Sequence, residues 1–289
     1  MKQKLPSTIN EQIAKLRERG CVIEDEKLAR ETLKYINYFR LSNYFAPFSV
    51  SKQRYEEGTT FGKILRIYEL DRKLRSILIA ALEEIEIALR AAISNFHALK
   101  YGALGYLNPA SFDFKHNHNS FMSKINYLIE ANEERAFVKH YNSKYSGAFP
   151  LWVVMELFSF GTLAFFYKDM HNADKKTLAW DYYHCSPSEM DNWIFCLNEL
   201  RNYCAHYNRI YGNTFPVEPK TPRDFEPELK ADAFGYIMIM KQLYHDRSNW
   251  NERIVKPLSR LLKKNGDIIR LNDLGFPENW AELIAFVEE

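Results

Sequence analysis

Glu199-Leu200-Arg201-Asn202-Tyr203-Cys204-Ala205-His206-Tyr207-Asn208-Arg209 ends a segment with strong helix signals. Ser186 is a good N-cap, Pro187 suits the first helical position, and Glu189 three residues after Ser186 completes a capping box. From there Trp193, Leu197, Leu200 and Cys204 recur at spacings of four, three and four, the period of a helix face turned to a core. At about 100° per residue, Asn198, Asn202, His206 and Arg209 fall together on the opposite side, with Arg201 between the two faces. Asn202 and His206, four apart, stack on one surface. A guanidinium to hold negative charge, an imidazole to move a proton and an amide to orient either of them suit chemistry on a phosphate.

The spacing alone is weak. With 17 Arg and 8 His in the chain, chance yields about one or two Arg-to-His pairs separated by four to six residues. Three occur: Arg90 to His97, Arg135 to His140 and Arg201 to His206. Only the third has a polar residue directly after the Arg and a capped, apolar-seamed helix beneath it.

Composition bounds the rest. The chain has 289 residues, 46% hydrophobic and 26% charged, which indicates a folded globule; 11 glycines fit helices with short connections. A net charge of +2 excludes a global basic field, so any RNA must be held by a local patch. The four cysteines, Cys21, Cys185, Cys196 and Cys204, include no CxxC pair, so no zinc or other metal and no cofactor is expected, and the compartment is reducing. The polar opening from Met1 to Glu11 and the lack of any run of 18 apolar residues point to a cytoplasmic protein with no membrane span.

Helices are expected at about Thr8–Arg19 (a second capping box, with Gly20 as terminator), Asp25–Tyr38, Phe61–Leu99 and Ser120–Tyr141. Others should open at Pro150 and cover about Leu229–His245, Asn249–Lys264 and Glu278–Glu288, with Asp174–His184 a short helix or a connection. Pro216, Pro219, Pro222 and Pro227 forbid regular helix from about Gly212 to Pro227, in a loop placed to line the surface after Arg209. The long Phe61–Leu99 segment keeps Ile67, Leu74, Leu78, Ala81, Ile85 and Leu89 on one face beside a polar stripe of Arg72, Arg75, Glu83, Glu86 and Arg90. That stripe reads either as structural ion pairs or as Arg72, Glu83 or Arg90 reaching over to orient Arg201 or His206. The aromatic-dense run Tyr35–Phe48 reads as a packed helix end, with stacking on RNA bases beside Arg40 as the alternative. Glu156 lies in an apolar setting that suits a buried partner for an Arg, and Gly161 in an apolar run suggests close helix packing. His116 and His118 read as surface loop rather than metal ligands, and His140 as a charge near a helix end.

The Glu199–Arg209 run resembles the signature of Abi-type abortive-infection proteins, the AbiD/AbiF-like group, in which Arg-Asn, three residues and His share one helix. Tyr38–Tyr44, Asp71–Arg75, Leu82–Glu86 and the Ser159-Phe160-Gly161-Thr162-Leu163 element are similar to the group's further elements, so the resemblance spans about Tyr35 to Asn213. The group often follows its His with His or Asn and then Arg-Leu-Trp-Asn; here the run is Tyr207-Asn208-Arg209-Ile210-Tyr211-Gly212-Asn213. The group belongs to the HEPN superfamily of helical ribonucleases. The resemblance implies an all-α, HEPN-like helical bundle with added N- and C-terminal helices. Residues 1–60 would be an N-terminal helical and aromatic element, 61–213 the core with the motif, and 214–289 a Pro-rich loop and C-terminal helices.

It also implies a metal-independent endoribonuclease of an antiviral defence or toxin system. The ribose 2′-OH attacks the neighbouring phosphate, His206 moves a proton as acid or base, Arg201 stabilises the transition state, and Asn202 orients His206 or contacts phosphate. Arg40, Arg72, Glu83, Arg90 and Arg209 are supporting or RNA-contacting candidates. Because about 140° of helix turn separates Arg201 from His206, the expected assembly is a homodimer in which two signature helices face each other. Alternatives are a non-catalytic RNA-binding protein holding a structured small RNA through Arg201, Arg209 and the basic Lys256–Lys264 end, a toxin covered by an RNA or protein antitoxin, and a helical scaffold in which Arg201 and His206 make only structural hydrogen bonds.

Overall fold

Caps written into the sequence set the first helices. The computed structural model describes residues 5–223, 225–226 and 228–287. In it the Thr8 hydroxyl accepts from the Glu11 N–H, and the Glu11 carboxylate accepts from the Thr8 N–H, opening α1 (Ile9–Glu18). Asp25 caps α2 (Glu26–Tyr35) through the Leu28 N–H. The expected run to Tyr38 stops at Ile36, whose backbone is extended. The Asn37 side chain accepts from the Phe39 N–H and starts a separate short helix, α3 (Tyr38–Ser42), a local bond that competes with helix continuation. After a 3₁₀ stretch over Asn43–Phe48, a small antiparallel hairpin of β1 (Ser49–Ser51) and β2 (Arg54–Tyr55) leads to the main helix. Tyr44, Phe45 and Phe48 are core, whereas Tyr35 and Phe39 are exposed. The aromatic run is therefore divided between interior and surface.

Thr60 caps α4 (Phe61–Tyr101), which at about 1.5 Å per residue is about 60 Å long. Its expected apolar face, Ile67, Leu74, Leu78, Ala81, Ile85 and Leu89, is fully buried. The expected Ser120–Tyr141 helix is two, α5 (His118–Glu130) and α6 (Ala136–Lys144). Glu130, Glu133 and Glu134 oppose the dipole at the end of one helix and favour the start of the next, and the Asn132 amide bonds the Leu128 carbonyl at the break. Pro150 opens only one turn, α7 (Leu151–Val154). Phe158 is extended, and Ser159 caps a fresh helix, α8 (Phe160–Asp169). Residues expected as a short helix or connection form α9 (Asn172–Tyr183), and α10 (Pro187–Ala205) follows.

The C-terminal part holds α11 (Ala233–Leu243), capped by Asp232, then α12 (Arg247–Trp250), α13 (Lys256–Lys264) and α14 (Trp280–Ile284). Between α12 and α13, residues Asn251–Val255 widen into a π turn. Pro257 cannot donate its i→i−4 bond, so the helix widens just before it. Pro227 and Glu288, named in the sequence reading, lie outside the described residues. The loop after α10 does not stay beside that helix's end. It runs back along α10, where the Glu218 and Lys220 carbonyls accept from Asn192 and from the Trp193 indole. Helices α7, α10, α11 and α13 pack on α4, and buried side chains from Ile13 to Ile284 form one contiguous core.

The exit from α10 is fastened to α4 by one carboxylate. Asp71 is fully buried; its Oδ1 accepts from the Tyr211 N–H at 2.8 Å and the Ile210 N–H at 3.1 Å. Its Oδ2 accepts from the Tyr44 hydroxyl at 2.7 Å and from the Arg75 guanidinium. Arg75 also donates to the Asn208 carbonyl at 3.1 Å, and Arg40 to the Tyr207 carbonyl at 2.8 Å. Burial pushes the Asp71 carboxyl up from its ordinary value, and Arg75, Tyr44 and the two backbone N–H groups pull against it. Every partner is a donor, so the pocket fits the ionised form. Gly212 follows at φ +61, where a Cβ would lie 2.7 Å from the Pro47 ring.

Two outcomes follow from this clamp. Asp71→Asn leaves Arg75 buried without its counter-charge and should cost about 3–5 kcal/mol in urea denaturation; a loss below about 1 kcal/mol, the scale of an exposed pair, would show that other contacts hold the segment. Gly212→Ala should lower stability by about 1–3 kcal/mol through strain and the Pro47 clash, and an unchanged melting curve would refute that reading of the turn.

Candidate functional site

The site is built on α10. The Ser186–Glu189 capping box forms as read: the Glu189 N–H donates to the Ser186 hydroxyl at 3.2 Å, and the Ser186 N–H to the Glu189 carboxylate at 2.7 Å. Trp193, Leu197, Leu200 and Cys204 are all buried. Burial pushes the Cys204 thiol up to about 12, which makes it a small hydrophobe rather than a nucleophile. The seam fixes the helix rotation and turns Arg201, Asn202 and His206 outward.

The helix ends at the motif. His206 is the C-cap, exposed, with its N–H on the Asn202 carbonyl at 2.9 Å. The Tyr207 N–H then donates to the Cys204 carbonyl at 3.2 Å and the Asn208 N–H to the Tyr203 carbonyl at 2.8 Å, the paired bonds of a Schellman turn. Its left-handed position, usually Gly, is held by Tyr207 at φ +59. Arg209 is therefore not on the wheel that the sequence put it on. It lies past the helix end, half-buried, with its guanidinium given to the Tyr211 and Gly212 carbonyls, and burial lowers its pKa. Arg209 shapes the exit turn.

Arg201 opens instead onto a groove of about 830 Å³ between α10, α4 and the turn after α7. Its Nε lies 3.9 Å from Glu86 Oε2, and its Nη1 donates to Asn202 Oδ1 at 3.5 Å. Glu86 in turn binds Arg90, whose guanidinium also donates to the Met155 and Phe158 carbonyls. Arg90 thus pins the turn between α7 and α8 and holds Glu86 beside Arg201. Of the expected supporting residues, Glu83 lines the same groove and is exposed, while Arg72 lies outside this groove's lining and pairs with Glu69 at 2.7 Å. Glu156 is not a buried partner for an Arg: the turn over Met155–Leu157 points it outward, into the groove's lining. Glu83, Glu86 and Glu156 against Arg90 and Arg201 leave this groove net acidic. Gly161 does mark a close approach, since a Cβ there would touch Asn198 Oδ1 at 3.4 Å.

The other two Arg–His spacings separate clearly. His97 is fully buried among Tyr101, Phe112 and Phe166, and desolvation lowers it to about 4. His140 lies inside α6, packed edge-on to Tyr141 and Tyr145, and is not a cap. His116 and His118 are not a free surface loop. Asp169, His116 and His118 form a hydrogen-bonded chain ending on the Leu107 carbonyl, with His116 stacked on Phe112 at 4.1 Å. Sequence reasoning missed Glu86 as the carboxylate that reaches Arg201, though its spacing to Arg90 was visible. It also missed Asp71 with Arg75 and Tyr44, and the exposed Tyr207 beside His206.

No curated protein and no solved structure matches the chain. The sequence profile of the Abi-like protein family matches residues 31–212, which take in the second half of α2, all of α3 to α10, the Asp71 clamp and the turn after His206. With more than half of its length matched, including the helix that carries Arg201 and His206, the chain belongs to the Abi-like protein family.

Proposed function

We propose that the protein is a metal-independent endoribonuclease of an abortive-infection or toxin system. Family membership suggests the defence role. The observation that carries the chemistry is His206, exposed on the C-cap of a helix whose exit is clamped by Asp71, Arg75 and Arg40. Arg201 sits about 7.5 Å back along the same axis. In the reaction the 2′-oxygen bonds to phosphorus as the bond to the 5′-oxygen breaks, leaving a 2′,3′-cyclic phosphate and a 5′-hydroxyl. His206 takes the 2′ proton or supplies one to the leaving oxygen. Arg201 stabilises the charge that grows on the phosphoryl oxygens, and Asn202, in contact with Arg201, orients it or the phosphate.

Arg201 faces the Glu86 groove while His206 ends the helix, so one copy offers them to different directions. Two copies meeting along α10 bring the Arg of one toward the His of the other, which favours a homodimer. A second reading, an RNA-binding protein without cleavage, draws on the net acidic lining around Arg201, which repels phosphate unless a partner or a second copy changes it.

Purified protein should cleave labelled single-stranded RNA with EDTA present, and Arg201→Ala and His206→Ala should each lower the rate by about 100-fold or more with unchanged circular dichroism. Cleavage that EDTA abolishes, or that survives both substitutions, would overturn the mechanism; folded wild type that binds RNA and never cuts it selects the second reading. Light scattering should show a dimer, and mixing inactive Arg201→Ala with inactive His206→Ala should restore cleavage through hybrid dimers. An active monomer would rule out the composite site.

A further inference from the structure

The surface on the other side of the α10 exit has the opposite electrostatic character to the Arg201 groove. Two grooves of about 680 and 410 Å³ meet there, and Arg40 and Tyr207 line both. Among the described residues lining them are Arg40, Arg72, Arg75 and Arg209, and no carboxylate. In a chain with 37 acidic residues this is a local cationic patch of the kind that a nearly neutral RNA-binding protein requires. Arg75 and Arg209 are committed to Asp71 and to backbone carbonyls. Arg40 reaches the Tyr207 carbonyl with one nitrogen, and Arg72 is held in an exposed ion pair with Glu69 at 2.7 Å, a weak contact that a phosphate can replace. These two are placed to meet phosphates.

Three aromatic rings surround the same grooves in solvent: Tyr35 is 85% exposed, Phe39 74% and Tyr207 65%. Positive charge alone would suit any polyanion. Exposed rings beside it select a polymer whose bases are free to stack. Tyr207 adds an independent observation. It occupies the left-handed position of a Schellman turn, where glycine is favoured and a β-substituted residue is strained. Its ring is 65% exposed, so it recovers little of that strain by packing and is free to meet a ligand.

We propose that this surface binds unpaired RNA: Tyr35, Phe39 and Tyr207 stack on successive bases, Arg40 and Arg72 hold phosphates, and the strand is led to His206, the neighbour of Tyr207. Duplex RNA hides its base faces and is a poor ligand here. The inference rests on reading the α10 end as a site that acts on RNA, and it names the strand's path and its single-stranded state.

The test uses wild-type protein and a fluorescent 2′-O-methyl strand of about a dozen nucleotides, which lacks the attacking hydroxyl and so reports binding alone. Phe39→Ala and Tyr207→Gly should each weaken the Kd by about 5- to 100-fold. Tyr207→Gly should melt at the same temperature or a few degrees higher, since glycine relieves the strained turn; weaker binding by a protein that is no less stable separates ligand contact from folding. Arg72→Ala should lower the slope of log Kd on log salt by about 0.7, and the annealed duplex should bind more weakly than the strand. Wild type that fails to bind the strand, folded variants that bind it as wild type does, or a duplex that binds as tightly overturns the inference. Cleavage of natural RNA alongside unchanged binding in the variants sinks this surface and leaves the nuclease standing. Binding lost in the variants of a protein that never cleaves does the reverse.

Discussion

The buried carboxylate of Asp71 is the contact on which the site's geometry depends. It lies on the central helix, yet it accepts from the backbone N–H groups of Ile210 and Tyr211, more than a hundred residues later, and from Tyr44 in the N-terminal aromatic element. Three parts of the chain thus converge on two oxygen atoms. A charge with no exposure is tolerable only when its donors are complete, so the position of the turn after α10 is set all at once: lose one donor and the others face an unsatisfied ion. His206 stands immediately before that turn. The clamp fixes the backbone just beyond an exposed side chain at a helix end, a place that usually frays.

A second carboxylate organises the other side of α10 more loosely. Glu86 gives one oxygen to Arg90 and faces Arg201 with the other across 3.9 Å. The two contacts are unequal. Arg90 is bound at both ends, to Glu86 and to the carbonyls of the α7–α8 turn, whereas Arg201 is half-exposed and its contact with Glu86 is longer than a hydrogen bond. An anion arriving at Arg201 would take it from Glu86 without leaving Glu86 unpaired, because Arg90 remains. Arg201 is therefore the arginine of this pair that can change partners at small cost.

Much of this was legible in the sequence, and what was not has physical reasons. The Thr8 and Ser186 capping boxes, the α4 face and the α10 seam are local or periodic signals, and they are present as read. Helix ends were misplaced where side chains competed with the ladder, at Asn37, Asn132 and Ser159. A wheel continued past Ala205 put Arg209 beside Asn202 and His206, but a helix can end with a tyrosine in a glycine's conformation, and no periodicity announces that. The apolar neighbours of Glu156 point to burial, whereas a single 3₁₀ turn rotates it outward. The Asp71 clamp was invisible for another reason: its partners are backbone groups, and sequence does not show which distant N–H will meet a given carboxylate.

The divided aromatic run shows how the same residue types serve both stability and recognition. Tyr44, Phe45 and Phe48 fill the core, and Tyr44 also completes the Asp71 shell. Tyr35 and Phe39 lie one helix bend earlier, and the bend at Ile36–Asn37 turns them outward. Had the helix run unbroken to Tyr38, as periodicity suggested, the rotation of Phe39 relative to Tyr35 would have been fixed by one axis. Breaking it lets both rings flank the grooves that Arg40 and Tyr207 line. Arg40 ties the two halves together, because its guanidinium reaches from that bend to the Tyr207 carbonyl across 167 positions of sequence. The N-terminal element and the strained turn are therefore tied together at the residue that follows His206.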